Sequence, residues 1–97
     1  MTNGAAVKDK VPAEREQLED IGARVKRLRI ERGLAQDRLA VEAHVDQSGL
    51  SKFERGSRVL GEVPLRRIAE VLRLSFETLI AGTDFEARWL TQRKPGS

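Results

Sequence analysis

With one histidine (His44), no cysteine and no tyrosine among its 97 residues, the chain has few groups able to move protons or attack carbon. No nucleophile–base set, carboxylate pair or cluster of metal-ligating residues stands out along it, so no enzymatic activity, cofactor or metal is expected. The lack of cysteine excludes a disulfide scaffold and thiolate metal sites, and it fits a reducing compartment. What remains is charge and hydrogen bonding. Residues 21–58 carry nine Lys/Arg against five Asp/Glu, whereas residues 1–20 are net acidic and the rest is close to balanced. A basic excess in the middle suits phosphate contacts, although an ordinary solvated face would look the same. The hydrogen-bonding side chains gather on one short segment beginning at Gln47. There Leu50 and Phe53 mark a buried side and leave Gln47, Ser48, Ser51 and Lys52 outward.

Those four residues need a helix to align them, and that helix needs neighbours. Residues 1–12 have no apolar period and read as a flexible tail. Leu18, Ile21, Val25 and Leu28 then recur three and four apart. This predicts a helix from at least Glu19 to Arg32, starting as early as Ala13, with Gly33 ending it. A second helix is expected over Gln36–Ala43, with Leu39, Ala40 and Ala43 inward. The third, Gln47 to about Arg55, has Asp46 as its N-cap. After Gly61 a fourth helix spans Glu62–Arg73, with Pro64 tolerated in its first turn. Ser75 caps a short fifth, Phe76–Ala81, and Asp84 is the candidate cap of a last segment, Phe85–Gln92, before a disordered RKPGS end. The fold class is therefore all-α, five short helices and a possible sixth. No apolar run exceeds three residues, so no membrane span or secretion signal is read and a cytoplasmic location is expected.

The stretches RLRIERGLAQDRLA, VDQSGLSKFERG and LRRIAEVLRLSFETLIAG resemble the Cro/CI-type (XRE) helix-turn-helix family of bacterial and phage transcriptional regulators, over Ile21–Gly82. The resemblance implies a compact lambda-repressor-like domain over residues 13–82, with residues 83–97 as an extension. It also implies that the third helix enters the major groove. Gln47, Ser48 and Lys52 then fall where base edges are read, beside Ser51: glutamine can pair with adenine, lysine can donate to guanine, and serine is permissive. Gln36 and Arg58 match phosphate-contact positions, with Arg24 and Arg55 as weaker candidates. Arg29 and Glu54 match an internal ion pair. Two residues depart from the pattern. Ala35 stands where a capping Thr or Ser is common, and His44 where Gly is frequent, in a turn that needs a left-handed backbone. Gly49, inside the helix, reads either as allowing a deep approach to the groove or as a tolerated small residue.

Phe85, Trp89 and Leu90 would form an apolar face that either folds back onto the domain or meets a second subunit, with Leu18 and Ile21 as the competing dimer surface. Three functions follow from this reading. The first is a homodimeric regulator of double-stranded DNA, in the manner of a repressor. The second is an antitoxin that binds its own promoter and a toxin partner. The third is a helical protein-binding adaptor without DNA contact.

Overall fold

Asp20 decides where the first helix begins. In the computed structural model, which describes residues 18–92, its carboxylate accepts from the Ala23 amide at 2.9 Å, and α1 runs over Ile21–Glu31. The expected start at Glu19 is therefore wrong by two residues, because a capping aspartate adopts an extended backbone rather than a helical one. The earlier start at Ala13, the tail 1–12 and the RKPGS end lie outside the described residues. Glu19 is instead held in a short parallel bridge with Thr83. Its amide donates to the Gly82 carbonyl and its carbonyl accepts from the Asp84 amide. Burial alone would raise the Glu19 pKa, but hydrogen bonds and charge from Arg24 and Arg27 outweigh it and hold the carboxyl below its ordinary value.

The other helices follow the apolar periods: α2 Gln36–Ala43, α3 Gln47–Glu54, α4 Glu62–Leu72, α5 Phe76–Ile80 and α6 Asp84–Gln92. Asp46 caps α3 through the Gly49 amide and Ser75 caps α5 through the Thr78 amide. Asp84 does not cap α6. That role falls to Thr83, whose hydroxyl accepts from the Glu86 amide while the Glu86 carboxylate reaches back to the Gly82 amide. Thr83 and Glu86 have the spacing of a capping box. Asp84 is thereby free to accept from the Ile21 amide at 2.8 Å, joining the first turns of α6 and α1.

The core is built from Val25, Leu39, Leu50, Phe53, Leu65, Ile68, Leu72, Leu79 and Ile80, all essentially inaccessible to solvent. Phe85 belongs to it as well, edge-on to Phe76, which also meets Trp89 edge-on. The C-terminal face thus folds back onto the domain: Phe85 is only 8% exposed, whereas Leu90 is 57% exposed. Ile21 is likewise buried, which removes it from the competing dimer surface and leaves only Leu18 of that pair accessible.

Helices α1 and α3 meet at Gly22. A Cβ there would lie 1.8 Å from the Phe53 carbonyl oxygen, so the end of α3 passes directly over the α1 backbone. Elsewhere in a helix, Gly→Ala adds about 1 kcal/mol of stability. Here the sign reverses, and Gly22→Ala is expected to cost about 3 kcal/mol by overpacking. Urea unfolding would measure it, and an unchanged midpoint would contradict the close approach.

His44 ends α2 with φ 58° and ψ 45°, the left-handed conformation the sequence requires at that turn. A side chain disfavours that region, so His44→Gly should raise stability by about 0.5–1 kcal/mol, read as an increase in thermal midpoint.

Candidate nucleic-acid interface

The tight connection between α2 and α3 is residues 44–46, with Val45 half-buried beneath it. Arg67 of α4 fastens it, donating to the Ala43 carbonyl at 2.7 Å and to that of His44 at 3.4 Å. On α3, Gly49, Leu50, Phe53 and Glu54 are buried, which turns Gln47, Ser48 and Lys52 to solvent and leaves Ser51 half-covered. The Ser48 and Lys52 side chains form no hydrogen bond or ion pair with any described residue. The Ser51 hydroxyl accepts from Arg55 at 2.7 Å, so two of the expected contact residues are coupled to each other.

Beneath this face lies a polar chain that crosses three helices. Arg29 of α1 grips Glu54 of α3 with both ends of its fork, Nε to Oε2 at 2.8 Å and Nη2 to Oε1 at 3.0 Å. Their side chains are only 11% and 2% exposed. The third guanidinium nitrogen donates to the Leu34 carbonyl. Gln36, at the start of α2, donates its amide to Glu54 Oε1 at 3.1 Å. Because an ionised carboxylate only accepts, this bond turns the Gln36 carbonyl outward. There it accepts from the Gln47 amide at 3.4 Å. Gln47 is left with its own carbonyl and a second N–H for an external partner. The first residues of both helices are thus oriented from the core. Ala35 makes no side-chain cap for α2, so the amides of that helix's first turn remain available to an anion such as a phosphate.

Not every expected contact residue belongs here. Arg24 is committed elsewhere: it pairs with Glu19 at 2.9 Å and donates to the carbonyls of Leu79 and Ala81 at the end of α5. Arg58, in the loop after α3, is exposed and its guanidinium has no hydrogen bond or ion pair among the described residues. It packs against Gly49, a contact nine residues apart that no local pattern signals.

Two helices joined by this turn, with the second presenting polar side chains over a buried ion pair, form a helix-turn-helix, and a helix-turn-helix domain family matches residues 20–81. The chain belongs to the Cro/CI-type helix-turn-helix family. Members of that family are non-catalytic, DNA-binding transcriptional regulators. Among solved structures, this helix-turn-helix protein is similar to a chain of the SinR protein/SinI protein complex, at 32% identity and a TM-score of 0.60 over 74% of this chain and 75% of that one. It is also similar to the restriction-modification controller protein C.AhdI from Aeromonas hydrophila, at 31% identity and a TM-score of 0.60 over 66% of this chain and 97% of that one. No curated protein sequence matches it significantly. Among the described residues no group of His, Asp and Glu could hold a metal ion, and no helix is long and apolar enough to cross a membrane.

Truncating Glu54 to alanine would leave Arg29 charged and buried without its partner, at an expected loss of roughly 3–5 kcal/mol. Replacing both residues together, Arg29→Met with Glu54→Leu, should recover most of that loss in urea unfolding, because the cost lies in the orphaned charge.

Proposed function

We propose that the protein is a sequence-specific transcriptional regulator that binds a near-palindromic operator as a two-fold dimer, with α3 of each subunit in the major groove. The observation that carries this reading is the outward row Gln47, Ser48 and Lys52 on a helix whose other side is anchored by Leu50, Phe53 and Glu54. A glutamine amide can satisfy adenine N6 and N7 together, and an unpaired lysine can donate to guanine O6 or N7. Gln36 and the free amides of α2 would fix the domain on the backbone, with Arg55 as an additional phosphate contact. Two such helices would read half-sites about 34 Å apart.

The dimer surface in this reading is not the aromatic cluster, since Phe85 is needed inside each subunit. Leu90, exposed on α6, and the partly exposed Trp89 are the parts of that face able to take part. A cytoplasmic location follows from the proposed role. SinR is recorded in a complex with the protein SinI, which supports a protein partner as a further means of control here.

Fluorescence polarisation on a duplex selected from a random pool would test the proposal. Wild-type affinity should fall steeply with salt, since each phosphate contact adds about one unit of log–log slope. Gln47→Ala and Lys52→Ala should each weaken the selected duplex by about 5–150-fold and relax preference at individual base pairs. Binding that ignores salt, or a base preference untouched by both changes, would overturn it.

A further inference from the structure

Gly49 is the third residue of α3, and glycine is a poor helix former. Its φ is not among the positive values found at Gly33, Gly56 and Gly82, so backbone conformation does not demand it. Space bears on it. A Cβ at Gly49 would stand 3.1 Å from Nη1 and 3.5 Å from Cζ of Arg58. The guanidinium of a loop residue therefore lies against the bare Cα of position 49, which is buried, and a methyl there would oblige it to give by a few tenths of an ångström.

This placement bears on what Arg58 can touch. Position 49 lies in the first turn of α3, one turn before Lys52 on the same flank, and first-turn residues of a groove-bound helix reach base edges. The Asp46 carboxylate, which caps the helix, lies 3.8 Å from the same point. A carboxylate there disfavours the approach of a phosphate, whereas the major-groove edge of a base carries no net charge. The guanidinium is a planar fork whose donors have no partner among the described residues, and guanine presents two acceptors, O6 and N7, matched to such a fork.

We propose that Arg58 is a base-reading residue: it stands in for the missing side chain of position 49 and selects guanine, rather than serving as a phosphate contact of the loop. Gly49 is then a positioning residue whose bare Cα admits the arginine to the groove. The proposal rests on the reading of α3 as a major-groove helix.

Duplexes selected from a randomised pool by the wild type, Arg58→Ala and Gly49→Ala proteins at one fixed salt concentration would test it. Arg58→Ala should lose a guanine preference at one position per half-site, and bind the wild-type duplex about 10–100-fold more weakly, while the rest of the motif persists. Placing 7-deazaguanine at that position should weaken the wild type comparably and leave Arg58→Ala unaffected. Gly49→Ala, whose methyl would push the guanidinium back by a few tenths of an ångström, should weaken the same guanine preference without a lower unfolding midpoint, since alanine is the better helix former. Uniform weakening on all duplexes by Arg58→Ala, with a salt slope reduced by about one, would mark a phosphate contact and overturn the proposal. A guanine preference undiminished in Gly49→Ala would overturn the positioning role of Gly49. If the wild type shows no salt-dependent duplex binding at all, the reading of α3 as a major-groove helix fails and this proposal falls with it.

Discussion

Glu54 lies at the end of α3 with 2% of its side chain exposed, and a carboxylate so placed needs a donor on every side or it destabilises the fold by several kcal/mol. Its partners come from different helices: Arg29 from α1 and Gln36 from α2. Satisfying one buried charge therefore fixes how three helices sit relative to one another. The close passage of Phe53 over Gly22 sets the distance at which Arg29 can reach, so packing and charge define the same geometry. A well-packed apolar substitute would serve stability as well or better. What it could not do is hold the Gln36 amide in one orientation, and through it Gln47.

The arginines show how composition can mislead. A basic excess over residues 21–58 suggested a phosphate-binding surface, yet several of these cations turn inward to backbone carbonyls. Arg24 takes carbonyls at the end of α5, Arg29 takes that of Leu34, and Arg32 takes that of Leu72 at the end of α4. Arg67, outside that stretch, does the same for α2. Except for Arg29, whose acceptor lies in the loop before α2, each satisfies acceptors that a helix C-terminus leaves open and sits favourably in the negative end of the helix dipole. Among the cations of α3 and its following loop, Lys52, Arg55 and Arg58 form no ion pair with any described residue, and the Arg55 side chain bonds only the Ser51 hydroxyl.

Much of this was legible in the order of residues, and the remainder was not, for identifiable physical reasons. Periodicity located α2 and α4 nearly to the residue, because a 3.6-residue repeat of Leu, Ile and Ala is a local signal. Asp46 and Ser75 were recognisable as caps because capping acts over three residues. Asp20 and the Thr83–Glu86 box had the same local form, but the apolar stripe through Leu18 and the more obvious Asp84 obscured them. Gly22 and Gly49 are of another kind. Their roles depend on what stands across from them, 31 and nine residues away, and nothing adjacent in the chain reports it. Of the polar face of α3, the outward row could be read from the buried positions. The bond between Gln36 and Gln47 and the tuck of Arg58 could not.

The bridge between Glu19 and Thr83, with the bond from Ile21 to Asp84, has a consequence in time. These contacts join positions more than sixty residues apart, so their closure carries a large loop entropy and belongs late in folding. On a growing chain, the helices over residues 21–80 would have emerged before Asp84, which accepts from the Ile21 amide, is synthesised. Helices α2 and α3 can consolidate around Glu54 early, while the outermost turn of α1 waits for the last helix to dock.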